Sequence, residues 1–458
     1  MNSRTFFFCG IGGSGMSAIA QVLLHQGHSV RGSDRSYDRG QNAGLYAQLR
    51  YLGVVLFPQD GSGIDDEVDT LVVSSAVEPT IPDVKAGLDL GVEIVKRAEV
   101  LAWLFNGGRG IAVGGTSGKS TVTGMVGHIL KGVGRNPTVI NGGIMRNAVD
   151  PPRLGNAICG DPDLPVIEAD ESDGTIALYN PAVSLLTNIS LDHKPMDELE
   201  GLFGAFCTRA QEAAVVNGDC ERSVALTQGV DARVIFGVDN VGADVNATGV
   251  RLLPDGVQCE VNGIFCRLFV PGRHNVANAV AAIAACGVIG VEVKDGVGAL
   301  GDFGGIGRRL EVVGKVQGVT VIDDFAHNPD KIAASLATLK AQLGRVLVVF
   351  QPNGFGPTRF LRAGLVAAFV DGVDVGDLVI MSEIFYAGGT AQKDISSGDL
   401  VAEIVKAGQR AEYIVKREDI VGRLMDEARE GDRIVVMGAR DDTLGDFARE
   451  ILEQMGKR

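Results

Sequence analysis

The sequence predicts an α/β protein of three domains: Rossmann-like over residues 1–106, P-loop-like with a small β insert over 107–305, and Rossmann-like again over 306–458. Three observations carry this expectation. Short apolar runs alternate with helical patterns along the chain, as βαβ units around parallel sheets require. Two glycine-rich turns, at 10–15 and 114–118, each fall between a strand pattern and a helix pattern. Glycine clusters in "FNGGRG" (105–110) and "DFGGIGRRLE" (302–311) mark hinges in a chain whose 458 residues exceed one ordinary core.

In the first segment "TFFFCGI" (5–11), "HSVRGSD" (28–34) and "DTLVVSSA" (69–76) read as strands, and "GMSAIAQVLLHQGH" (15–28) as a helix that Gly27 closes. In the second, "RGIAVGGT" is strand and loop and "GKSTVTGMVGHILKGVG" is helix. "LPVIEADES" (164–172) and "AVSLLTNIS" (182–190) are apolar strands that end in polar residues. "VNATGVRLL" and "GVQCEVNGIFCRLFV", within 240–270, read as an antiparallel insert ahead of the helix "NVANAVAAIAACGVIG" (275–290). The third segment carries strands at "TVIDDF" (320–325), "RVLVVFQP" (345–352), "DLVIMSEIF" (377–385) and "DRIVVMGA" (432–439).

A net charge of −15 offers no basic face for nucleic acid, although backbone amides and single lysines or arginines still bind phosphate locally. Seven cysteines without a CxxC spacing fit reduced, mostly buried thiols rather than disulfides or zinc ligands. No apolar stretch approaches a membrane span, and the run in "MNSRTFFFCGIGG" is too short for a signal peptide. A cytoplasmic protein, monomer or dimer, is expected.

"CGIGGSGMS" sets Gly10, Gly12 and Gly15 in the G-x-G-x-x-G pattern, with Gly13 and Met16 in the same turn and Ser33 and Asp34 ending the next strand. The pattern asks only for a backbone able to approach a diphosphate at a helix N-terminus. A dinucleotide and a nucleotide sugar both satisfy it, and so does a plain tight turn. "GGTSGKST" (114–121) is a P-loop shortened by one glycine, because Val113 stands where the general motif has Gly. Its Gly115, Thr116, Ser117, Gly118, Lys119, Ser120 and Thr121 would wrap a triphosphate. Lys119 would reach the β/γ-phosphates and Ser120 would ligate Mg2+.

"EADESDG" (168–174) and "NISLDHK" (188–194) end the strands that follow, at the edge where ligands sit in open α/β sheets. Acids crowded there need a cation or hydrogen-bond donors. Glu171 is the expected ligand for Mg2+ (or Mn2+). His193 is either a second metal ligand or a histidine hydrogen-bonded at a strand end, since Mg2+ prefers oxygen. In "PGRHNVANAVAA", His274, Asn275 and Asn278 occupy the first turns of a helix, where asparagines either pair with an adenine edge or cap the helix. "GRRLE" offers a cation for phosphate, and "DDFAHNPD" (323–330) an acid–His cluster.

Taken in order, "GGTSGKST", "EADESD", "TNISLDH", "PGRHNVANAVAA", "GRRLE" and "DDFAHNP" resemble the blocks of the Mur ligases, the ATP-dependent amino-acid ligases of peptidoglycan assembly, essentially end to end. The N-terminal "GIGGSGMS", "GSD" and "VVSSA" are most similar to the branch that joins L-alanine to UDP-N-acetylmuramate; the muropeptide-recycling branch, which shares "DDFAH", comes second. The resemblance implies a first domain that holds a UDP-N-acetylmuramate-like nucleotide sugar, a P-loop ATPase-like second domain that holds ATP, and a third that brings the amino acid. It implies that a substrate carboxylate takes the γ-phosphoryl of ATP, giving an acyl phosphate and ADP, and that an amine then displaces phosphate to form the amide.

By the same resemblance Lys119, Ser120, Glu171 and His193 would offset charge around the phosphoryl group. Arg309 would reach the nucleotide phosphates, Asp324 the ribose, and His274, Asn275 and Asn278 the adenine end, while His327 would lie near the incoming amine. Gly10, Gly12, Gly13, Gly15, Met16, Ser33, Asp34, Ser74, Ser75 and Ala76 would line the UDP site. Asn141 and Gly142, with Ser172, would lie by the sugar. A nicotinamide oxidoreductase built on Gly10–Gly15 would leave the P-loop and both later domains without a use.

Several positions depart from the alanine-adding pattern. Ser117 replaces a usual His, and Phe325 a usual Tyr. In "FQPNGFGPTRF", Gly354 and Pro357 stand where the branch has two arginines near the amino-acid carboxylate. Arg359 or Arg362 would have to substitute, which leaves the acceptor open. "FCTRAQEAAVV" offers Arg209 and Gln211 where sister branches carry a modified lysine, in keeping with the alanine-adding and recycling branches.

Overall fold

The triple-Phe run Thr5–Cys9 is apolar on both faces, and it becomes the middle of a five-stranded, all-parallel sheet. The order is Val55–Phe57, Ser29–Ser33, Thr5–Cys9, Thr70–Val73, Glu93–Lys96. Phe7 and Phe8 are fully buried, as a parallel strand covered on both sides requires. The helix Ser14–His25 packs on this sheet and ends where Gly27 turns the chain at φ +86.

The computed structural model describes residues 3–74, 77–172, 174–191, 194–253, 255–386, 392–441 and 443–457. Ser75, Ala76 and His193, singled out in the sequence, lie outside them. The chain divides into two compact units. One comprises Met1–Val250, Cys259–Phe269 and Val276–Ile306; the other comprises Arg251–Gln258, Val270–Asn275 and Gly307–Arg458.

Within the first unit, a polar tie joins the N-terminal helix to the central sheet. Asn156 Nδ2 donates to Ser14 O (2.7 Å) and Ser17 Oγ (2.9 Å), and Gln21 Nε2 donates to Asn156 Oδ1 (2.8 Å). The central sheet has ten strands, in the order Ile264–Leu268, Gly256–Val261, Val245–Leu253, Arg233–Val238, Ala213–Asn217, Val183–Leu186, Ile111–Gly114, Asp161–Glu168, Pro137–Ile140, Ala157–Ile158. The segment expected to form an antiparallel insert is no separate sheet: it extends this one, with Val245–Leu253 joining parallel to Arg233–Val238 and a hairpin following it. Alternating polarity marks half-buried strands but does not say which sheet edge they join. Asn262 and Gly263, both at positive φ (47° and 79°), turn the terminal hairpin as a type I′ turn needs.

The second unit is built on a six-stranded sheet in the order Glu311–Val316, Val319–Asp324, Arg433–Gly438, Val346–Gln351, Leu378–Met381, Ala411–Tyr413. The first pair is antiparallel and the rest are parallel. Its helices cover both faces, giving one core around Phe350 and Phe369 and another around Ile434 and Phe447. Among the described residues no helix is long and apolar enough to cross a membrane.

Candidate active site

Strand order sets the site. Ile111–Gly114 runs parallel between Val183–Leu186 and Asp161–Glu168, so the loop that leaves it is flanked by the carboxyl ends of both neighbours. The loop turns at Gly115 (φ +124) and Gly118 (φ +89). A Cβ on Gly115 would collide with Thr187 Oγ1, and one on Gly118 would lie 2.6 Å from Asn278 Oδ1, so both turns need glycine for room as well as for φ. The helix Lys119–Gly132 starts directly after, which aims its first N–H groups into the loop.

Lys119 Nζ donates to Gly115 O at 2.7 Å and to Glu171 Oε2 at 2.6 Å, with Glu171 itself 1% exposed. Burial alone would push the Lys119 ammonium down. The carboxylates of Glu171, Asp170 and Glu168 outweigh it and hold the lysine above its usual range. Burial likewise pushes Asp170 up, but Lys119, hydrogen bonds from Ser172 and the charge of Arg97 together hold its carboxyl below the ordinary value. Three acidic side chains thus face one ammonium.

The end of the Val183–Leu186 strand clamps the loop. Asn188 Oδ1 accepts Ser117 N–H and Nδ2 donates to Ser117 O, both at 3.0 Å; Thr187 Oγ1 donates to the same carbonyl at 2.7 Å. Thr116 N donates to Asn188 O (3.1 Å), and Thr116 Oγ1 accepts Ser190 N–H (3.0 Å). Ser117 Oγ is buried with no partner among the described residues, a hydroxyl inside the loop whose donor is uncommitted. On the other side Asn141 Nδ2 donates to Ser120 O (2.9 Å), and Gly142 N donates to Glu168 Oε1 (2.6 Å). Asn141 and Gly142 therefore border the P-loop helix and the acid cluster.

The donor set suits a hard cation. Ser120 is buried, and Glu168, Asp170 and Glu171 supply oxygen and more negative charge than Lys119 offsets. Among the described residues no three His, Cys, Asp or Glu side chains converge as a preformed metal centre. Mg2+ in phosphoryl-transfer sites is held by one or two protein oxygens plus phosphate, so this arrangement is compatible with it.

In the N-terminal glycine loop, Gly10 N and Ile11 N both donate to Ser33 O (2.8 and 3.0 Å). Asp34 is doubly engaged. Its Oδ2 accepts Gly12 N–H (2.8 Å), and its Oδ1 accepts the Ser36 N–H (2.8 Å) and hydroxyl (2.7 Å), capping the helix Arg35–Asp38. A Cβ on Gly12 would meet Asp34 Oδ2 at 2.9 Å, and one on Gly15 would meet an Arg97 guanidinium nitrogen at 2.8 Å. Gly13 meets only ordinary contacts, Met16 is buried, and Ser33 bonds the buried Asp83 through its hydroxyl. Ser74 follows the strand Thr70–Val73, its carbonyl accepting Val77 N–H (3.1 Å).

The helix Arg273–Val288 carries His274, Asn275 and Asn278. Asn275 Nδ2 donates to Pro271 O at 2.7 Å, as a residue that fixes the helix start would. Asn278, by contrast, reaches the P-loop at Gly118. In the second unit, Asp324 is buried, with Oδ1 accepting Leu310 N–H (3.3 Å) and Oδ2 bonded to Ser335. Burial pushes its pKa up, Arg309 pulling the other way. The guanidinium groups of Arg308 and Arg309 lie over the Phe325 ring at 5.1 and 4.7 Å, and His327 Nδ1 bonds Phe325 O at 2.9 Å. Arg359 pairs with Asp394, and Arg362 with Glu403 at 2.6 Å, so each already holds a carboxylate of the chain.

Lys119, Ser120, Glu171, Asn141, Gly142, Ser172 and Asn278 thus meet around one loop. Thr187, Asn188 and Arg97 belong to the same neighbourhood and were not singled out in the sequence. The first two lie within a quoted block, but their aim depends on strand order; Arg97 gives no local signal.

Comparison with known proteins finds relatives along nearly the whole chain. Family models described as "Mur ligase family, catalytic domain", "Mur ligase middle domain" and "Mur ligase, glutamate ligase domain" match residues 5–109, 113–286 and 308–440. The UDP-N-acetylmuramate–L-alanine ligase of Pelotomaculum thermopropionicum is 35% identical over 452 residues, covering 96% of this chain and 95% of the relative. That of Jannaschia sp. is 36% identical over 450 residues, covering 94% and 92%. Among solved structures, the UDP-N-acetylmuramate-alanine ligase of Thermotoga maritima superposes with a TM-score of 0.79 at 26% identity, covering 99% of each chain. With that three-domain architecture, and with its P-loop and acid cluster in place, this chain belongs to the Mur ligase family.

Proposed function

We propose that the protein is an ATP-dependent ligase that joins the carboxylate of UDP-N-acetylmuramate to an amino acid through an acyl phosphate, in peptidoglycan synthesis. L-Alanine, which the relatives' names specify, is the acceptor to test first. The single observation that carries this reading is Lys119, held 2.6 Å from a buried carboxylate at the mouth of a loop whose turns admit only glycine.

In the first step two anions must meet, a carboxylate and a triphosphate. Lys119 supplies positive charge at the terminal phosphates, the loop amides and Ser117 Oγ supply donors, and Asn188 keeps the loop in shape. Mg2+, when bound, would be held by Ser120 and Glu171, with His193 in the second role, and would screen the triphosphate. Asn278 would contact the nucleotide from above Gly118. By the family resemblance, Arg309 would serve the nucleotide phosphates and His327 the incoming amine. The domain boundaries we adopt are 1–106, 107–305 and 306–458. The cytoplasm, where ATP is available, is the compartment this reading needs, and seven unpaired cysteines agree with it.

The test is phosphate release with UDP-N-acetylmuramate and each amino acid in turn, for wild type and Lys119→Ala. The variant should lose ADP formation while keeping nucleotide-sugar affinity. An active Lys119→Ala enzyme, or a wild type inert toward ATP with every acid and amine tried, would refute the proposal.

A further inference from the structure

The strands Gly256–Val261 and Ile264–Leu268 form the terminal hairpin of the ten-stranded sheet. Their two-residue turn is pinned by Asn262, whose N–H donates to Asn246 O and whose Nδ2 donates to Asp244 O, both at 3.0 Å. A two-residue turn fixes the register, so Val261 stands opposite Ile264 and, further from the turn, Cys259 stands opposite Cys266. Both thiols fall on the buried face, at 3% and 1% exposure, while Glu260 and Phe265 turn to solvent. Residues directly opposite in an antiparallel pair have Cα atoms about 4.5–5.5 Å apart, inside the roughly 4.4–6.8 Å that a disulfide spans.

The two thiols are in contact and unequal. Cys266 Sγ–H donates to Cys259 Sγ, which draws the Cys259 thiol below its usual range against the effect of burial. The same bond, with burial, pushes Cys266 up. Burial raises Cys207 and Cys286, which lie on helices. Cys259 is therefore the readier nucleophile, and Cys266 stands against it as the resolving group. Access comes from the edge: Ile264–Leu268 is the last strand of its sheet, and such strands open locally before the core does.

We infer that Cys259 and Cys266 are a reversible redox site, at which a hydroperoxide converts the facing thiols into a cross-strand disulfide. The Cys259 thiolate attacks a peroxide oxygen and the O–O bond breaks, leaving a sulfenic acid and, once the departing oxygen takes a proton, water. Cys266 then gives up its proton and attacks the Cys259 sulfur; the S–O bond breaks and a second water leaves. Two thiols and hydrogen peroxide become one disulfide and two waters, the sulfurs oxidised and the peroxide reduced. The strand Ile264–Leu268 packs on the helix Val293–Ala299 and the turn Leu300–Asp302. Asp302 in turn meets the P-loop helix at His128 (2.7 Å), near the end opposite Lys119. The new bond thus braces the outer end of the sheet and leaves the phosphate-binding turns as they are.

The experiment treats the folded full-length protein with hydrogen peroxide, then counts free thiols after unfolding and maps links by mass spectrometry, before and after dithiothreitol. Wild type should lose two of its seven thiols as a Cys259–Cys266 link, melt at a higher temperature, and recover both thiols on reduction. Cys259→Ser and Cys266→Ser should each form no link, and Cys266→Ser should hold Cys259 as a sulfenic acid that dimedone captures. Wild type that keeps all seven thiols, or that links any other pair, would overturn the inference without recourse to a variant. Loss of two thiols in either serine variant, as in wild type, would overturn it equally.

Discussion

Removing the Asn188 side chain tests whether the phosphate loop is shaped before a nucleotide arrives. Asn188 satisfies both polar groups of the Ser117 peptide at 3.0 Å, while Thr187 Oγ1 gives the Ser117 carbonyl a second donor at 2.7 Å. In Asn188→Ala the carbonyl keeps Thr187, so the uncompensated loss is one partly buried N–H, which costs about 1–3 kcal/mol. The Ser117 peptide lies in the loop rather than in the core, so this cost should fall on the bound geometry. ATP affinity should then drop by about 5- to 150-fold, with only a small fall in melting temperature. Asn188→Asp keeps the acceptor for Ser117 N–H and should lose less. The assay is titration with a non-hydrolysable ATP analogue alongside thermal denaturation. An unchanged Kd in Asn188→Ala would refute the reasoning, and so would global unfolding, since either would mean that the clamp does not act on the loop.

Two further outcomes follow from local geometry. Gly115→Ala and Gly134→Ala both place a side chain at positive φ, but only the first meets an obstacle, at Thr187. Gly134→Ala should cost about 1–2 kcal/mol and leave ATP binding alone, whereas Gly115→Ala should also abolish ATP binding; equal behaviour of the two would contradict the steric account. Burial pushes the His274 imidazole down to about 4 from its usual 6.5, so the folded state favours the neutral ring. The stability this contributes is complete above pH 6.5 and drains as pH falls toward 4. It amounts to about 2 kcal/mol, less than the full shift implies because the ring keeps some solvent contact. His274→Gln should flatten the pH dependence of the unfolding free energy over that window; an unaltered slope would show that another group is responsible.

Much of this was readable from local sequence. Runs such as "TFFFC" and "RVLVVF" have too many consecutive apolar residues to be anything but strands covered on both faces, and Gly115 and Gly118 fall where a P-loop must turn. What escaped depends on partners distant in the chain. That Glu171 also pairs with Lys119, 52 residues away, has no local signal. Asp34 sits where a ribose-binding acid would, yet both its oxygens are engaged by the loop and by a helix cap. Asn188 points at Ser117 only because Val183–Leu186 became the neighbour of Ile111–Gly114. The strands within 240–270 show their pleat in the sequence but not the sheet edge they extend.

The Lys119–Glu171 contact has a bearing on which anions the loop selects. An ammonium already paired with a shielded carboxylate is a weaker attractor for sulfate, free phosphate or stray metabolites than an unpaired one, because the carboxylate offsets its charge. Only a ligand that brings enough additional contacts along the loop can win the exchange, as a triphosphate does. Idle occupancy by the small anions of the cell is thereby discouraged without any gate or moving part.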